Sequence, residues 1–156
     1  MNKAMWEGKT LIADEVAKEY EYEKQIRLAS RAGDLLCIDH DCKNNILRYC
    51  HGDKRGAYFA HRSTDYSCSY GEFDKENTDN IRELTSKLKN VFESQGFKAE
   101  VEKKVFDRHY AHLVIKKNAL YTAIEIVDNR LSVEKANYLT NQYESIMNVA
   151  WIVIDD

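Results

Sequence analysis

Thiolate and imidazole are the side chains that hold a borderline-soft metal such as zinc, and this chain gathers them into one stretch. All 4 cysteines lie between Cys37 and Cys68. Cys37 and Cys42 enclose four residues, the upper end of zinc-knuckle spacing, while His61 and Cys68 stand in a second segment able to close a tetrahedral site. Cys37, Cys42, His61 and Cys68 are therefore the expected ligands, with His40, Cys50 and His51 as competitors that spacing alone does not eliminate. Four protein ligands leave no open position for water, so the implied zinc is structural. The bland alternative is that these are ordinary small side chains, buried or exposed. Around them, Lys43, Arg48, Lys54, Arg55 and Arg62 interleave with Tyr49, Tyr58, Phe59 and Tyr66. Cations for phosphates beside rings for bases are what nucleic-acid contact uses. A solvated face over aromatics packed on a small metal core would have the same composition.

A second place for chemistry is the stretch HYAHLVIKKNALYTAIEIV, residues 109 to 127, which reads as two adjacent strands. The first carries His112 and the next carries Glu125. This pair describes a metal-dependent active site, the remains of one, or a structural pair. In the last case His112 is hydrogen-bonded at the edge of a sheet and Glu125 is paired with a nearby Lys or Arg.

The elements that must position these residues follow from hydrophobic periodicity. The segment DEVAKEYEYEKQIRLASRAGD, charge-rich with widely spaced apolar residues, reads as one helix stopping near Gly33. From Leu35 to Gly71 periodicity is lost, and Cys, His, Asp, Gly and Tyr dominate. A bare apolar core could hardly order such a region, which again asks for a metal. In NTDNIRELTSKLKNVFESQG a helix places Ile81, Leu84, Leu88, Val91 and Phe92 on one face, with Thr78, Asp79 or Asn80 as N-cap and Gly96 at the C-terminal end. Strands are expected in FKAEVEKKV, YAHLVIK and YTAIEIV, the last two joined by a turn containing Asn118. Ser132 can cap a helix bearing Val133, Ala136, Leu139, Tyr143 and Ile146, and VAWIVI closes the chain as a fully apolar strand.

A chain of 156 residues bounds this to one compact core with an appendage. Its formal net charge of -3 excludes a polybasic coat protein, so any nucleic-acid contact needs a local basic face. No apolar run approaches the roughly 18 residues of a membrane span, and the first residues lack a signal-peptide core, so the expected place is the cytoplasm without membrane contact. With 0 prolines, helix ends fall to Gly, Asn and Ser.

The stretches AMWEG, LLCIDHDC, AYFAHRSTDYSC, ENTDNIREL, AHLVI, AIEIV and VAWIVID, in this order over nearly the whole chain, resemble the competence protein CoiA-like family. That resemblance implies an α/β architecture: a zinc-finger-like segment over residues 1–71, then a PD-(D/E)XK nuclease-like domain over 72–156. The restriction-endonuclease-like core of that domain runs helix, three strands, helix, strand. It also implies a magnesium or manganese site, with the family's first-strand Asp falling on His112, its second acid on Glu125 and the following Gln or Lys on Val127. Imidazole is a poor ligand for Mg²⁺, although Mn²⁺ tolerates it, and Val127 offers no polar group. Lys116 on the face of His112, Lys135 on the following helix, and Glu76 or Glu83 on the preceding ones are the available substitutes.

The expectation is a zinc-stabilised, nuclease-fold protein that binds DNA or RNA with weak or absent hydrolysis. Two alternatives stand beside it. One is a metal-dependent nuclease using Glu125 with His112; the other is a protein-binding inhibitor or adaptor of a nucleic-acid-processing complex.

Overall fold

The computed structural model describes residues 1–52, 55–63, 68–128 and 131–154, with Arg55 and Asp128 described in their backbone alone. It is a mixed α/β structure that divides into two units, Met1–Glu76 and Asn77–Asp156. Among the described residues there are five helices and three separate sheets.

In the first unit an antiparallel hairpin of β1 (Lys3–Trp6) and β2 (Lys9–Ile12) precedes the helices. Its tight turn places both Glu7 and Gly8 at positive φ. The single helix expected over residues 14–34 is instead α1 (Ala13–Val16) and α2 (Tyr20–Ala32). Glu19 between them is extended, which separates the buried pair Ala13 and Val16 from the buried pair Ile26 and Ala29. Gly33 ends α2 in the left-handed conformation, its N–H returning to the Ala29 carbonyl.

The region that lacked periodicity also contains regular structure: β3 (Leu47–Gly52), β4 (Arg55–His61) and α3 (Ser69–Glu76). Leu47 and Tyr49 point inward with Arg48 outward between them, a period of two too short to stand out among the polar residues. Phe59 and His61 face inward from β4, and His61 lies directly opposite Leu47.

The second unit follows the expected order: α4 (Asp79–Ser94), β5 (Lys98–Phe106), β6 (His109–Lys117), β7 (Leu120–Asp128), α5 (Val133–Glu144) and β8 (Asn148–Ile154). The sheet order is β5-β6-β7-β8, antiparallel through the first three strands and parallel between β7 and β8. Thr78 caps α4 by accepting from Ile81 N, and Ser132 caps α5 by accepting from Lys135 N. One face of the sheet carries Leu113, Ile115, Ile124 and Ile126 against Ile81, Leu84, Leu88 and Phe92 of α4. The other carries Val114 and Ala123, which cluster with Ala111 and with Tyr143 of α5.

Three apolar residues depart from their expected positions. Val91 on α4 and Val133 and Ile146 around α5 are exposed, because the true contact stripe on each helix is narrower than the apolar set. The closing strand, expected as a fully apolar one, forms at the edge of the sheet with Val153 exposed.

Leu113, wholly buried on the central strand β6, has no room to be shortened without leaving a cavity. Leu113→Ala should lower the unfolding free energy by about 2–5 kcal/mol. Val91→Ala should change it by about 0.5 kcal/mol or less. Urea denaturation of the two variants beside the wild type checks the difference.

Candidate metal centre and the buried carboxylate network

Cys37, Cys42, His61 and Cys68 are all buried, and their ligand atoms lie within 4.8 Å of one another. Cys37 comes from the loop after α2, Cys42 from the turn that follows, His61 from the end of β4, and Cys68 from the residue before α3. Cys37 Sγ lies 3.5 Å from Cys68 Sγ, and Cys42 Sγ lies 3.2 Å from His61 Nε2. Ligands of a tetrahedral zinc ion would stand about 3.8 Å (S to S) and about 3.5 Å (S to N) apart, given zinc bonds of about 2.3 and 2.0 Å. This group could bind a metal ion such as zinc. The competitors are elsewhere: His40 is exposed, Cys50 is paired with Tyr58 in the hairpin, and His51 Nδ1 is bonded to Glu23 at 2.9 Å.

Electrostatics in this cluster favour a cation. The Cys37 thiol is pushed up by its bond to Cys68 and by burial, and the Cys42 thiol by burial and the charge of Cys68. The Cys68 thiol is brought down to about 7, because the bond from Cys37 and the Gly71 N–H outweigh burial. Burial holds the His61 imidazole below its ordinary value, which favours the neutral, ligating form. Three thiolates cannot sit side by side unless a positive ion neutralises them.

Asp39, which the sequence reading missed, organises the surroundings of the cluster. Its carboxylate is buried and accepts from Ser69 N at 3.0 Å, Ser69 Oγ at 2.6 Å and Asp41 N at 3.3 Å. Its own N–H points at Cys37 Sγ, 3.4 Å away, and its carbonyl accepts from Cys42 N at 3.0 Å. Cys68 occupies the cap of α3, accepting from Gly71 N at 3.2 Å through its sulfur. Asp39 thus ties the first two ligands to the helix that presents the fourth. An acid between two spaced cysteines was the signal in the sequence, but nothing there pointed to Ser69.

Of the expected basic face, Lys43 and Arg48 are exposed, whereas Arg62 is occupied. Its guanidinium donates to the carbonyls of Ser30 and Arg31, the last turn of α2, where a cation also suits the helix dipole. Lys54 and Tyr66 lie outside the described residues, as does the side chain of Arg55. Tyr49 and Phe59 are core residues with ring centroids 5.5 Å apart, so neither ring is presented to a base.

In the second unit His112 and Glu125 do meet, on strands β6 and β7. Glu125 Oε2 lies 2.7 Å from His112 Nδ1, and Oε1 lies 2.7 Å from His109 Nε2 and also accepts from the Tyr143 hydroxyl. Burial alone would raise the Glu125 carboxyl, but the hydrogen bonds from His109 and His112 prevail and bring it down to about 2. Ionised, it can only accept, which makes both imidazoles donors. Ile126 N also approaches His112 Nδ1, at 3.2 Å, but the shorter, charge-assisted bond to the carboxylate decides where that proton lies. Burial and the Glu125 charge together push the Tyr143 hydroxyl well above its ordinary value, so it remains a donor.

The expected environment of this pair is corrected on two points. His112 sits on an interior strand and not at a sheet edge, and Glu125 is held by two histidines and a tyrosine instead of Lys or Arg. His109 was missed because residues three apart in a strand point to opposite faces. It reaches the carboxylate from the hairpin end, where it stacks on Phe106 with centroids 4.7 Å apart. The expected substitutes within this unit are not brought to the carboxylate. Lys116 lies four residues along β6, about 13 Å away at strand spacing, with its ammonium over the Tyr121 ring. Glu83 is exposed and paired with Lys87 at 2.6 Å, Lys135 is exposed on α5, and Glu76 ends α3 in the first unit. Among the described residues, Cys37, Cys42, His61 and Cys68 are the one group whose donor atoms converge as metal ligands do.

Compared with known proteins, the chain matches no family model and no curated relative.

Two outcomes follow. Asp39→Ala should weaken zinc binding by about 10–100-fold in a chelator competition, with the four ligands intact. The depressed Glu125 carboxyl contributes stability that is complete above its unfolded value of about 4.3 and is lost as pH falls toward about 2. Acid denaturation of Glu125→Gln should therefore be flatter than that of the wild type across that window.

Proposed function

We propose that the chain is a zinc-stabilised, CoiA-like nuclease-fold protein that binds nucleic acid with weak or absent phosphodiester hydrolysis. The helix, antiparallel three-strand meander, helix and parallel fourth strand of the second unit support the nuclease-like reading of its fold. The observation that carries the functional reading is the state of Glu125, both of whose oxygens are taken by protein donors.

Magnesium demands near-octahedral oxygen ligands at about 2.1 Å and gives up its water reluctantly. To reach this carboxylate it would have to displace two imidazoles and a phenol from a residue 2% exposed. Val127, on the same face two residues on, supplies nothing to orient an attacking water. The bonds that would otherwise go to a metal instead hold β6, β7 and α5 together.

Zinc would be held by Cys37, Cys42, His61 and Cys68, with no position left for a reacting water. Its contribution is to order the loops around it. From that module Lys43 and Arg48 remain exposed for phosphate contact.

The zinc-loaded protein should leave labelled single- and double-stranded DNA and RNA uncut with Mg²⁺ or Mn²⁺, yet bind them with an affinity that falls as salt rises. Metal-dependent cutting that disappears in Glu125→Gln would establish the enzyme instead. Affinity indifferent to salt and to the paired changes Lys43→Gln and Arg48→Gln would remove the nucleic-acid reading of the first unit.

A further inference from the structure

The sheet of the second unit has two edges, β5 and β8, and the sequence treats them in opposite ways. An edge strand presents a row of unpaired N–H and C=O groups, a template for any further strand, and proteins commonly blunt it with charges and irregularities. β5 has both. Lys98, Glu100, Glu102, Lys103 and Lys104 interrupt it, its register with β6 shifts between Lys104 and Phe106, and Glu102 stands at a positive φ of 51°.

β8 has neither. Its seven residues, NVAWIVI, carry no charge, and its register with β7 runs unbroken from Asn148 opposite Thr122 to Ile154 opposite Asp128. Among the described residues its backbone pairs with β7 alone. Ala150 and Val153 are exposed along it, Val153 to 62%. Val149, Ile152, Val153 and Ile154 are β-branched, the side chains a paired strand favours. A regular, apolar, unguarded edge is either an aggregation hazard or an interface.

The strand complements itself. A second β8 running antiparallel about a two-fold axis beside Trp151, the middle residue, overlaps all seven positions. Directly opposite residues share a face of a sheet, so this register sets Val153 against Val149 of the other copy and Ala150 against Ile152 of the other copy. Val149 packs in the Tyr143 cluster on one face and Ile152 in the Ile81 cluster on the other, so each new pair adds to an existing apolar layer. Each exposed position thereby meets a half-buried aliphatic side chain, and no like charges face one another. A two-fold contact also closes: it uses β8 once in each copy and leaves the guarded β5 at both ends.

We infer that β8 is the interface of a homodimer in which two copies join edge to edge, merging their sheets into one. The pairing is independent of nucleic acid and of the cysteine cluster. One strand pair is a small interface, so the dimer is weak and its population rises with concentration.

The test is sedimentation velocity of the full chain over a range of concentration reaching several hundred micromolar. Monomer and dimer should exchange, with no larger species. Val153→Lys, which sets an ammonium against Val149 of the other copy, should weaken the dimer roughly tenfold or more. Val91→Lys makes the same change at a valine 50% exposed on α4 and should leave the dimer unchanged. In dilute solution Val153→Lys should melt with the wild type, because that side chain is largely exposed in one copy. At high concentration the wild type should melt above it. Amide hydrogen exchange of the wild type locates the contact without any variant: exchange at residues 148–154 should slow as concentration rises, and that at 98–106 should not.

A wild type that stays monomeric throughout overturns the inference. So does a dimer that Val153→Lys leaves intact while the concentration-dependent protection falls outside β8. Growth into open-ended species overturns it too, since a two-fold contact stops at two copies.

Discussion

The convergence of three thiols and an imidazole is the constraint on which the first unit depends. The segments that supply them are separated along the chain by β3 and β4. Bringing Cys37, Cys42, His61 and Cys68 within 4.8 Å costs chain entropy and crowds ionisable sulfurs in a buried space. A divalent cation bound there would reverse both terms, because it would convert mutual repulsion into shared attraction and close the loops. Asp39 extends the same constraint outward, since its carboxylate holds the start of α3 while its backbone addresses Cys37 and Cys42. At the far end of α3, Asp74 Oδ1 accepts from Asn2 N at 2.8 Å. A continuous set of bonds therefore runs from the cysteine cluster through α3 to the first strand.

In the second unit a charge is also buried, but it is satisfied by protein alone. Glu125 collects donors from β6, from the β5–β6 hairpin end and from α5, and each comes from a different part of the chain. A buried ion pair is weak evidence of stability, because desolvation offsets much of its attraction. Its value lies in geometry: a carboxylate holding three donors on its two oxygens restricts the arrangement of the surrounding strands and helix. The two units thus solve the same problem, buried polar groups needing partners, in opposite ways. One gathers donors suited to an ion, and the other leaves an ion no room.

How much of this could be read beforehand depends on the range of the determining interactions. The order of α4, β5, β6, β7, α5 and β8 was legible because apolar period and caps such as Thr78 and Ser132 act within a few residues. The four cysteine-cluster ligands were legible because thiols are few and grouped. The hairpin of β3 and β4 was not, because its inward positions are shared among Leu47, Tyr49, Phe59 and His61 with polar residues between. Neither were the roles of His109, Tyr143 and Asp39, which arise from partners 16, 18 and 30 residues away. Arg62 illustrates the same limit. Its charge suggested phosphate, and only the folded chain brings the end of α2 against it.

The position of His61 has a consequence for how the hairpin is policed. It ends β4 opposite Leu47, and its neighbour Arg62 points outward to α2. Because alternate residues face alternate sides, a slip of one position between β3 and β4 would turn the imidazole to solvent and drive the guanidinium into the interior. The strand carries an irregularity between Cys50 and Gly52, where such a slip could be absorbed. A metal ion held by these four residues would therefore proofread the pairing, because only the correctly threaded hairpin would complete the tetrahedron.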